Sequence, residues 1–413
     1  MNNNHDFTEG EILRPMLTFR GPVLLAMFLQ SLYGAVDLMV VGKFAEAADA
    51  SGVNTGSQVM MMLTFVVTSF SMAVTILMGQ HIGEKSPEKA GDVIGTGIIM
   101  FAVMAIAMTF AGVIFAPEIA AGLKAPRDAF NQTVSYIRVC SSGFVFIIAY
   151  NVMSGVFRGV GDSVMPLISV TIASVFNIIG DLFFVKGMGM GAKGAAIATV
   201  MAQVISVILS MFIISKRKMP FILTKDKLRI DKSIAKRIFS LGTPLLLQDI
   251  LVSVSFLFLL AITNSRGVIV SAGVGIAEKL CGFIMLVPSA FSQSVSAFVA
   301  QNVGAKRMDR ANRALKYALV VSVCVGLVIA YVAYFHGDIL CEIFSNNPEI
   351  IAAAWEYLKA YGIDTVICAF MFCFTGYFNG RGKTVFTMAQ NVIGSFCVRI
   401  PMALIVSRIP GST

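Results

Sequence analysis

Apolar residues run along this chain in blocks of about twenty, separated by short polar stretches. Val23–Val41, Val93–Phe115, Gly194–Ile214 and Tyr317–Phe335 show the pattern most plainly. Each is close to the ~20 residues that a helix rising ~1.5 Å per residue needs to cross ~30 Å of hydrocarbon. The blocks predict eleven membrane-spanning helices, at roughly 16–42, 52–79, 92–116, 133–156, 162–185, 191–214, 236–262, 270–299, 316–335, 356–379 and 384–408. The polar stretch Ser215–Arg237 parts the first six from the rest. The chain therefore reads as an N-terminal bundle over 1–214, a cytoplasmic linker over 215–237 and a C-terminal bundle over 238–413.

The two halves repeat each other. GQHIGEK at Gly79–Lys85 returns 221 residues on as AQNVGAK at Ala300–Lys306. Gly52-Val53 returns as Gly273-Val274, FRGVGDSV from Phe157 as FNGRGKTV from Phe378, and Pro22 as Pro244 with one residue of slip. Six spans per copy is an even number, so both copies start on the same side, and their pseudo-twofold axis should follow the membrane normal. Many transporters place their site between such repeats. The second copy offers only five spans, and no counterpart of Gly194–Ile214 follows before Thr413. The expectation is thus an all-α polytopic membrane protein, two six-helix bundles in parallel repeat, with the twelfth helix missing through either an incomplete or a truncated chain.

Composition agrees with the pattern. Of 413 residues, 57% are hydrophobic and 13% charged, with a mean hydropathy of +0.81; a soluble domain carries about 25% charged residues. The net charge of +9 would suit nucleic acid, but its distribution suits the positive-inside rule better. Lys216, Arg217, Lys218, Lys225, Lys227, Arg229, Lys232, Lys236 and Arg237 crowd the linker. Lys85, Lys89, Arg158, Lys306, Arg307, Arg310, Arg313, Lys316, Arg381 and Lys383 fall on the same side. The opposite loops carry only Lys43, Lys124, Arg127, Lys186, Lys193, Arg266 and Lys359. The rich side is read as cytoplasmic, with the N-terminus inside and the protein in the cell inner membrane. Residues Met1–Arg14 are polar and of mixed charge, unlike a secretory signal. Anionic lipid is a second partner that the basic linker would suit.

Enzyme signatures are absent. His5, His81 and His336 stand apart, and the seven cysteines are scattered, mostly within apolar runs. No GxxxxGK[ST], HExxH or GxSxG occurs, so no enzymatic activity, no cofactor and no ATP hydrolysis are expected, and transport would draw on an ion gradient.

Polar residues inside the spans carry the chemistry. Placing an ionisable group in hydrocarbon costs about 2.5–3.5 kcal/mol on insertion scales, so each needs a reason. Asp37 lies six residues before Lys43, Asp181 five before Lys186, and Thr199 six after Lys193. All three sit roughly 8–9 Å inside the outer boundary. Asn177 is one turn from Asp181 on the same helical face. Two carboxylates held together away from water resist joint ionisation, so the pair can take up a proton. The same oxygens, with those of Asn177 and Thr199, could instead hold a partly dehydrated Na⁺. A purely structural reading is that the acids only fix helix packing. Gln30, Tyr33 and Asp37 fall at i, i+3 and i+7, one polar stripe on the first span, and Pro22 below them permits a hinge or a static kink.

Other polar groups read as less central. Asp249 with Gln248 lies near the cytoplasmic end of its span, and Asp364 and Arg138 lie near the starts of theirs. Glu278 and Lys279 point about 100° apart on a helix and would line the second lobe with different partners. Arg399 lies deeper and needs an acid or backbone carbonyls. The 24 methionines and 32 phenylalanines are read mainly as lipid-facing or packing residues, some of them lining a pliable, promiscuous cavity.

In its order of motifs the chain resembles the multidrug and toxic compound extrusion family, in its prokaryotic branch. The resemblance runs from about Pro15 to Pro410 and rests on LQSLYGAVDLMVVGKF, the paired GQHIGEK and AQNVGAK, FRGVGDSVMPL with FNGRGKTVF, and NIIGD at Asn177–Asp181. It implies two six-helix bundles in a V that export amphipathic, often cationic compounds by alternating access in exchange for H⁺ or Na⁺. It further implies a cation or proton site at Asp37, Asn177, Asp181 and Thr199, an adjoining polar network at Gln30 and Tyr33, and a bending proline at Pro22. The chain departs from some members at Leu251-Val252-Ser253, where an acid is absent. The expected partners are small cationic substrates and membrane lipids, with no nucleic acid, and the expected state is a monomer. Rival readings are a lipid-linked oligosaccharide flippase, whose cavity should be basic, and a truncated fragment that does not transport. Shifted through the repeat, Asp37 falls on Leu259, Asn177 on Val398 and Asp181 on Met402, so the frame is duplicated and the charged cluster is not.

Overall fold

The apolar blocks become long helices in a computed structural model, which describes residues 6–217, 219–264 and 267–407. Lys218, Arg266, His5 and Pro410 lie outside the described residues. The helices are α1 (Leu13–Phe44), α2 (Ala47–Gly83), α3 (Pro87–Ile114), α4 (Ala116–Gly122), α5 (Phe130–Ser142), α6 (Phe144–Val160), α7 (Val164–Asp181) and α8 (Gly191–Lys216). After the linker come α9 (Lys232–Asn264), α10 (Val268–Ile284), α11 (Leu286–Gly304), α12 (Met308–Glu342), α13 (Pro348–Gly380), α14 (Thr384–Ile393) and α15 (Ile400–Ser407). One π-helical turn, Leu182–Gly187, follows α7, and another, Gly394–Arg399, joins α14 to α15.

Among the described residues, ten helices are long and apolar enough to cross a membrane, and a bent pair makes up to eleven. The bent pair is the predicted fourth span, which breaks by 53° between α5 and α6. Gly143 stands at the break, where a Cβ would fall 2.3 Å from Cγ1 of Val200 on α8. The outer faces are greasy, as lipid contact requires: Phe110 is 62% exposed and Val320 64%.

The repeat is visible in the backbone. Lys85 (φ 53°) and Lys306 (φ 59°) both take the left-handed conformation just after α2 and α11. In the first copy Lys85 N–H donates to the Ile82 carbonyl and Ser86 N–H to that of His81; in the second, Lys306 donates to Val303 and Arg307 to Asn302. Gly161 (φ 94°) and Gly382 (φ 75°) likewise end α6 and α13 in matching left-handed turns, a position where any side chain would be strained.

By internal contacts the chain forms two compact units. The first is built on Gly21–Gly242 and the second on Phe7–Arg20 with the chain from Thr243 onward. In the first unit Val67, Ile76, Leu77, Met78 and Phe144 pack a core that Ile238 and Leu241 of α9 complete. In the second, Ala277, Cys281, Ala333 and Leu358 meet in a core built from small side chains. The cysteines are all unpaired; Cys324 and Cys397 are exposed and the other five buried, as small apolar residues of a membrane interior would be.

Candidate functional site: a buried acidic cluster in the first unit

Helix geometry brings α1, α7 and α8 together at one level of the first unit. Asp37 lies about three-quarters of the way along α1. Asp181 is the last residue of α7, where the backbone changes to the π-helical turn, an irregularity common at functional sites. Close approach of α7 to α8 depends on Gly180: a Cβ there would lie 2.9 Å from the Ala198 Cβ. That contact holds the end of α7, with Asp181, close to the stretch of α8 that carries Thr199.

The four predicted site residues form one cluster. Asp37 is 5% exposed, Asn177 1% and Asp181 0%, while Thr199 is half-buried. The carboxyl of Asp37 neighbours those of Asp181 and the carboxamide of Asn177. The Thr199 hydroxyl lies 3.2 Å from Asp37 Oδ2 and 3.0 Å from the carbonyl oxygen of Ala195. It has one proton for two acceptors. Donated to Asp37, that proton suits the ionised acid; donated to Ala195, it leaves a lone pair on Thr199 to accept from the protonated acid. The hydroxyl therefore serves either charge state of Asp37.

The remaining atoms of the cluster are unsatisfied. Asp37 Oδ1, both carboxylate oxygens of Asp181, and Oδ1 and Nδ2 of Asn177 are buried with no hydrogen-bond partner. Buried polar atoms almost always find partners, so five such atoms on three neighbouring residues single this cluster out as the candidate site. The set is rich in hard oxygen donors and carries two acids, which fits a proton or a small alkali cation.

The polar stripe on α1 extends the site along the helix axis. Tyr33 is half-buried beside Gln203 of α8, with Tyr150 of α6 and Cys140 of α5 near it. Gln30 continues the stripe, half-buried and roughly 10 Å from Asp37 at 1.5 Å per residue. Pro22 lies inside α1, about four turns below Asp37, away from the cluster. Gln203, Cys140 and Tyr150 were not anticipated from sequence. Gln203 had a readable signal, since it stands one turn from Thr199; the others come from α5 and α6, which only packing brings near.

In the second unit the positions matched to Asp37, Asn177 and Asp181 carry apolar side chains. Val398 and Met402 are exposed and Leu259 half-buried. Among the described residues Arg399 is met by neither an acid nor a carbonyl within hydrogen-bond distance: its guanidinium donates to Ser255 Oγ at 3.1 Å and lies over the Phe256 ring at 4.5 Å. Asp364 accepts from the Cys368 thiol at 3.5 Å. Glu278 is half-buried and Lys279 exposed, as side chains pointing apart should be. Asn391 of α14 donates to Gln248 Oε1 at 3.1 Å, tying α14 to α9.

Known proteins resemble this chain over nearly its full length. The family model MatE matches it twice, over residues 22–183 and 244–405, the same two copies that the motifs mark. A Bacillus subtilis protein described as probable multidrug resistance protein YoeA is 24% identical over 97% of this chain and 88% of its own. The multidrug export protein MepA of Staphylococcus haemolyticus is 22% identical, covering 98% of this chain and 90% of its own. Among solved structures, an outward-facing multidrug resistance MATE transporter of the MOP superfamily superposes with a TM-score of 0.90 at 18% identity, covering 98% of this chain and 91% of that one. A MOP superfamily transporter from Pyrococcus furiosus, described as having a binding pocket of reversed polarity, gives 0.91 at 19% identity and 98% and 91% coverage. At such identities the likeness shows the fold.

Proposed function

The chain belongs to the MatE family of multidrug and toxic compound extrusion transporters, and from that premise we propose that it exchanges external H⁺ or Na⁺ for an amphipathic cation drawn from the cytosol. The observation that carries this reading is the set of five buried, unpartnered polar atoms on Asp37, Asn177 and Asp181. Two ionised carboxylates buried side by side repel each other, so the pair favours uptake of a positive charge. A proton shared by the pair, or a Na⁺ ringed by their oxygens with those of Asn177 and Thr199, removes the repulsion. Loading by the coupling ion then neutralises the charge that would hold a cationic substrate in the first unit, and the two cargoes alternate. Thr199 follows the change by redirecting its single proton between Asp37 and Ala195. Tyr33 and Gln30 extend the polar path along α1, and Pro22 lets the lower part of that helix yield.

The partners on this reading are small amphipathic cations and the surrounding lipid, with the chain working as a monomer in the cell inner membrane, N-terminus inside. The basic linker then reports topology rather than nucleic-acid binding. An oligosaccharide-lipid flippase would require basic groups to hold a pyrophosphate, whereas the buried charges of this cluster, Asp37 and Asp181, are acidic.

The test is efflux of a fluorescent cation from reconstituted vesicles, with Na⁺ and pH gradients imposed separately. One of the two gradients should drive export, and Asp181→Asn should lower the driven rate by about 100-fold, equivalent to ~2.7 kcal/mol. The variant should remain inserted and folded. Undiminished driven export in both Asp37→Asn and Asp181→Asn would sink the proposal.

A further inference from the structure

The chain opens with a segment that packs on the half of the protein it does not belong to by sequence. Phe7–Arg20 precedes the first repeat, yet it is part of the second unit. Phe7 is 2% exposed, its ring stacked on Phe298 at 5.1 Å and edge-on to Phe19 at 5.5 Å. Its N–H donates to Gln301 Oε1 at 3.1 Å, and its carbonyl accepts from Asn302 Nδ2 and Arg310 Nη2, each at 3.1 Å. Arg310 also donates to the carbonyls of Glu9 at 3.1 Å and Gly10 at 2.8 Å, and Arg307 to that of Thr8 at 2.8 Å. Gln301 and Asn302 are fully buried and Arg310 nearly so. These are costly residues to bury unless their polar groups find partners, and here Gln301 accepts from, and Asn302 and Arg310 donate to, the main chain of one short turn.

The linker does the same in the other direction. Residues 222–242 precede the second repeat but pack in the first unit. Ile222 N–H donates to the Pro87 carbonyl at 3.1 Å. Thr96 Oγ1 donates to the Arg229 carbonyl at 3.3 Å and accepts from the Asp231 N–H at 3.2 Å. The linker backbone touches α3 so closely that a Cβ on Gly91 would lie 1.9 Å from the Ile222 oxygen, and one on Gly95 the same distance from that of Lys227. Arg237 donates to Gln80 Oε1 at 3.1 Å. Gln80 and Gln301 are the same position of the repeat, and each receives the lead-in of the opposite copy.

We propose that these lead-ins are reciprocal straps: each repeat's first helix is anchored at its base to the other repeat's second and third spans, and stays anchored while the two units move. The chain passes from one unit to the other at Arg20–Gly21 and at Gly242–Thr243. Both crossings fall inside a continuous helix, α1 or α9, directly before that helix's internal proline, Pro22 or Pro244. Proline removes the hydrogen bond to the fourth residue back, leaving the Thr18 and Ser240 carbonyls without that partner, and glycine adds freedom beside it. The helix is therefore weakest where it changes unit. Bending there lets the upper part of α1, with Asp37, follow the first unit while Phe7 keeps its seat on the second.

Backbone hydrogen exchange, read by mass spectrometry on the full chain in lipid nanodiscs, tests this. Peptides covering 7–12 and 222–231 should exchange at least roughly 100-fold more slowly than unstructured chain. They should stay so when sodium is added, when the pH is lowered and when ethidium is present. Phe7→Ala, and independently Arg310→Ala, should raise exchange in 7–12 by at least about tenfold while 222–231 and α2 remain protected. Free-peptide exchange of either segment in the wild type would overturn the proposal, and this measurement does not depend on any variant folding. So would release of either segment on adding sodium, acid or ethidium, or a 7–12 segment that both variants leave protected.

Discussion

The two repeats share a backbone and differ in what it carries. Lys85 and Lys306, and Gly161 and Gly382, hold matching left-handed turns, so turn geometry has been kept in both copies. Asp37, Asn177 and Asp181, by contrast, face Leu259, Val398 and Met402 across the repeat. Folding constrains the first kind of position in either copy, because a misplaced turn re-aims two helices. Nothing in folding asks for buried acids, which are expensive in hydrocarbon. A feature present in one copy and absent from the other, at a cost to stability, is where function is to be sought.

The largest expected effect follows from that asymmetry. Asp37→Asn should reduce gradient-driven efflux by about 100-fold or more, whereas Leu259→Ala and Met402→Ala, at the matched positions, should stay within about twofold. Vesicle efflux assays on the three variants compare the repeats directly. Equal losses on both sides would erase the distinction between an ion-handling unit and a supporting one.

Gly180 gives the next effect. Its 221-residue counterpart is Pro401, so this glycine is not kept in the second copy. Gly180→Ala would push a methyl to 2.9 Å from the Ala198 Cβ. Overpacking of this kind costs about 1–3 kcal/mol, seen as a lower thermal midpoint in detergent together with weaker efflux. Ala198→Gly in the same chain should recover most of both. If the pair behaves additively, the contact is not what sets the spacing of α7 and α8.

Much of this was readable before any coordinates. Spans are legible because the length of an apolar block is fixed by the thickness of hydrocarbon, and the cluster because Asp37, Asn177, Asp181 and Thr199 are polar at one depth. The 53° break at Gly143 was not legible, since α5 and α6 together are as apolar as an unbroken span and the side chain packed against Gly143, that of Val200, belongs to another helix. The seat of Phe7 was hidden for the same reason, as its partners lie almost 300 residues away. Arg399 was read as needing an acid or a carbonyl. A serine hydroxyl and the face of Phe256 serve instead, which a periodicity argument has no means to pair.

Arg399 supplies a smaller effect, confined to the second unit. Arg399→Ala removes a cation from an aromatic face, worth about 0.5–2 kcal/mol, and leaves the Ser255 hydroxyl without its donor. Thermal stability should fall by that amount, while the preference for Na⁺ over H⁺, or the reverse, stays as in the wild type. A switch in ion preference would mean that the second unit takes part in coupling.

The smallest effect separates the two straps by the chemistry of their cations. Lys227 on the linker is nearly buried and pairs with Glu88 at 2.7 Å and Asp92 at 3.2 Å. The hydrogen bond to Glu88 lifts its pKa above the ordinary lysine value, burial works against this, and Asp92 adds to the rise. The folded state thus binds this proton more tightly than the unfolded chain does. The resulting stabilisation is fully present below the ordinary lysine value of about 10.4 and disappears as pH climbs through the raised one. The N-terminal strap is held by Arg310 instead, and a guanidinium does not titrate in this range. Spin labels on Leu223→Cys and Glu9→Cys, with Cys324 and Cys397 replaced, should report the difference between about pH 8 and pH 11. Mobility should rise at 223 and hold steady at 9, and Lys227→Met should remove the pH dependence at 223. Equal loosening of both labels would show that alkaline pH acts on the fold as a whole and not through Lys227.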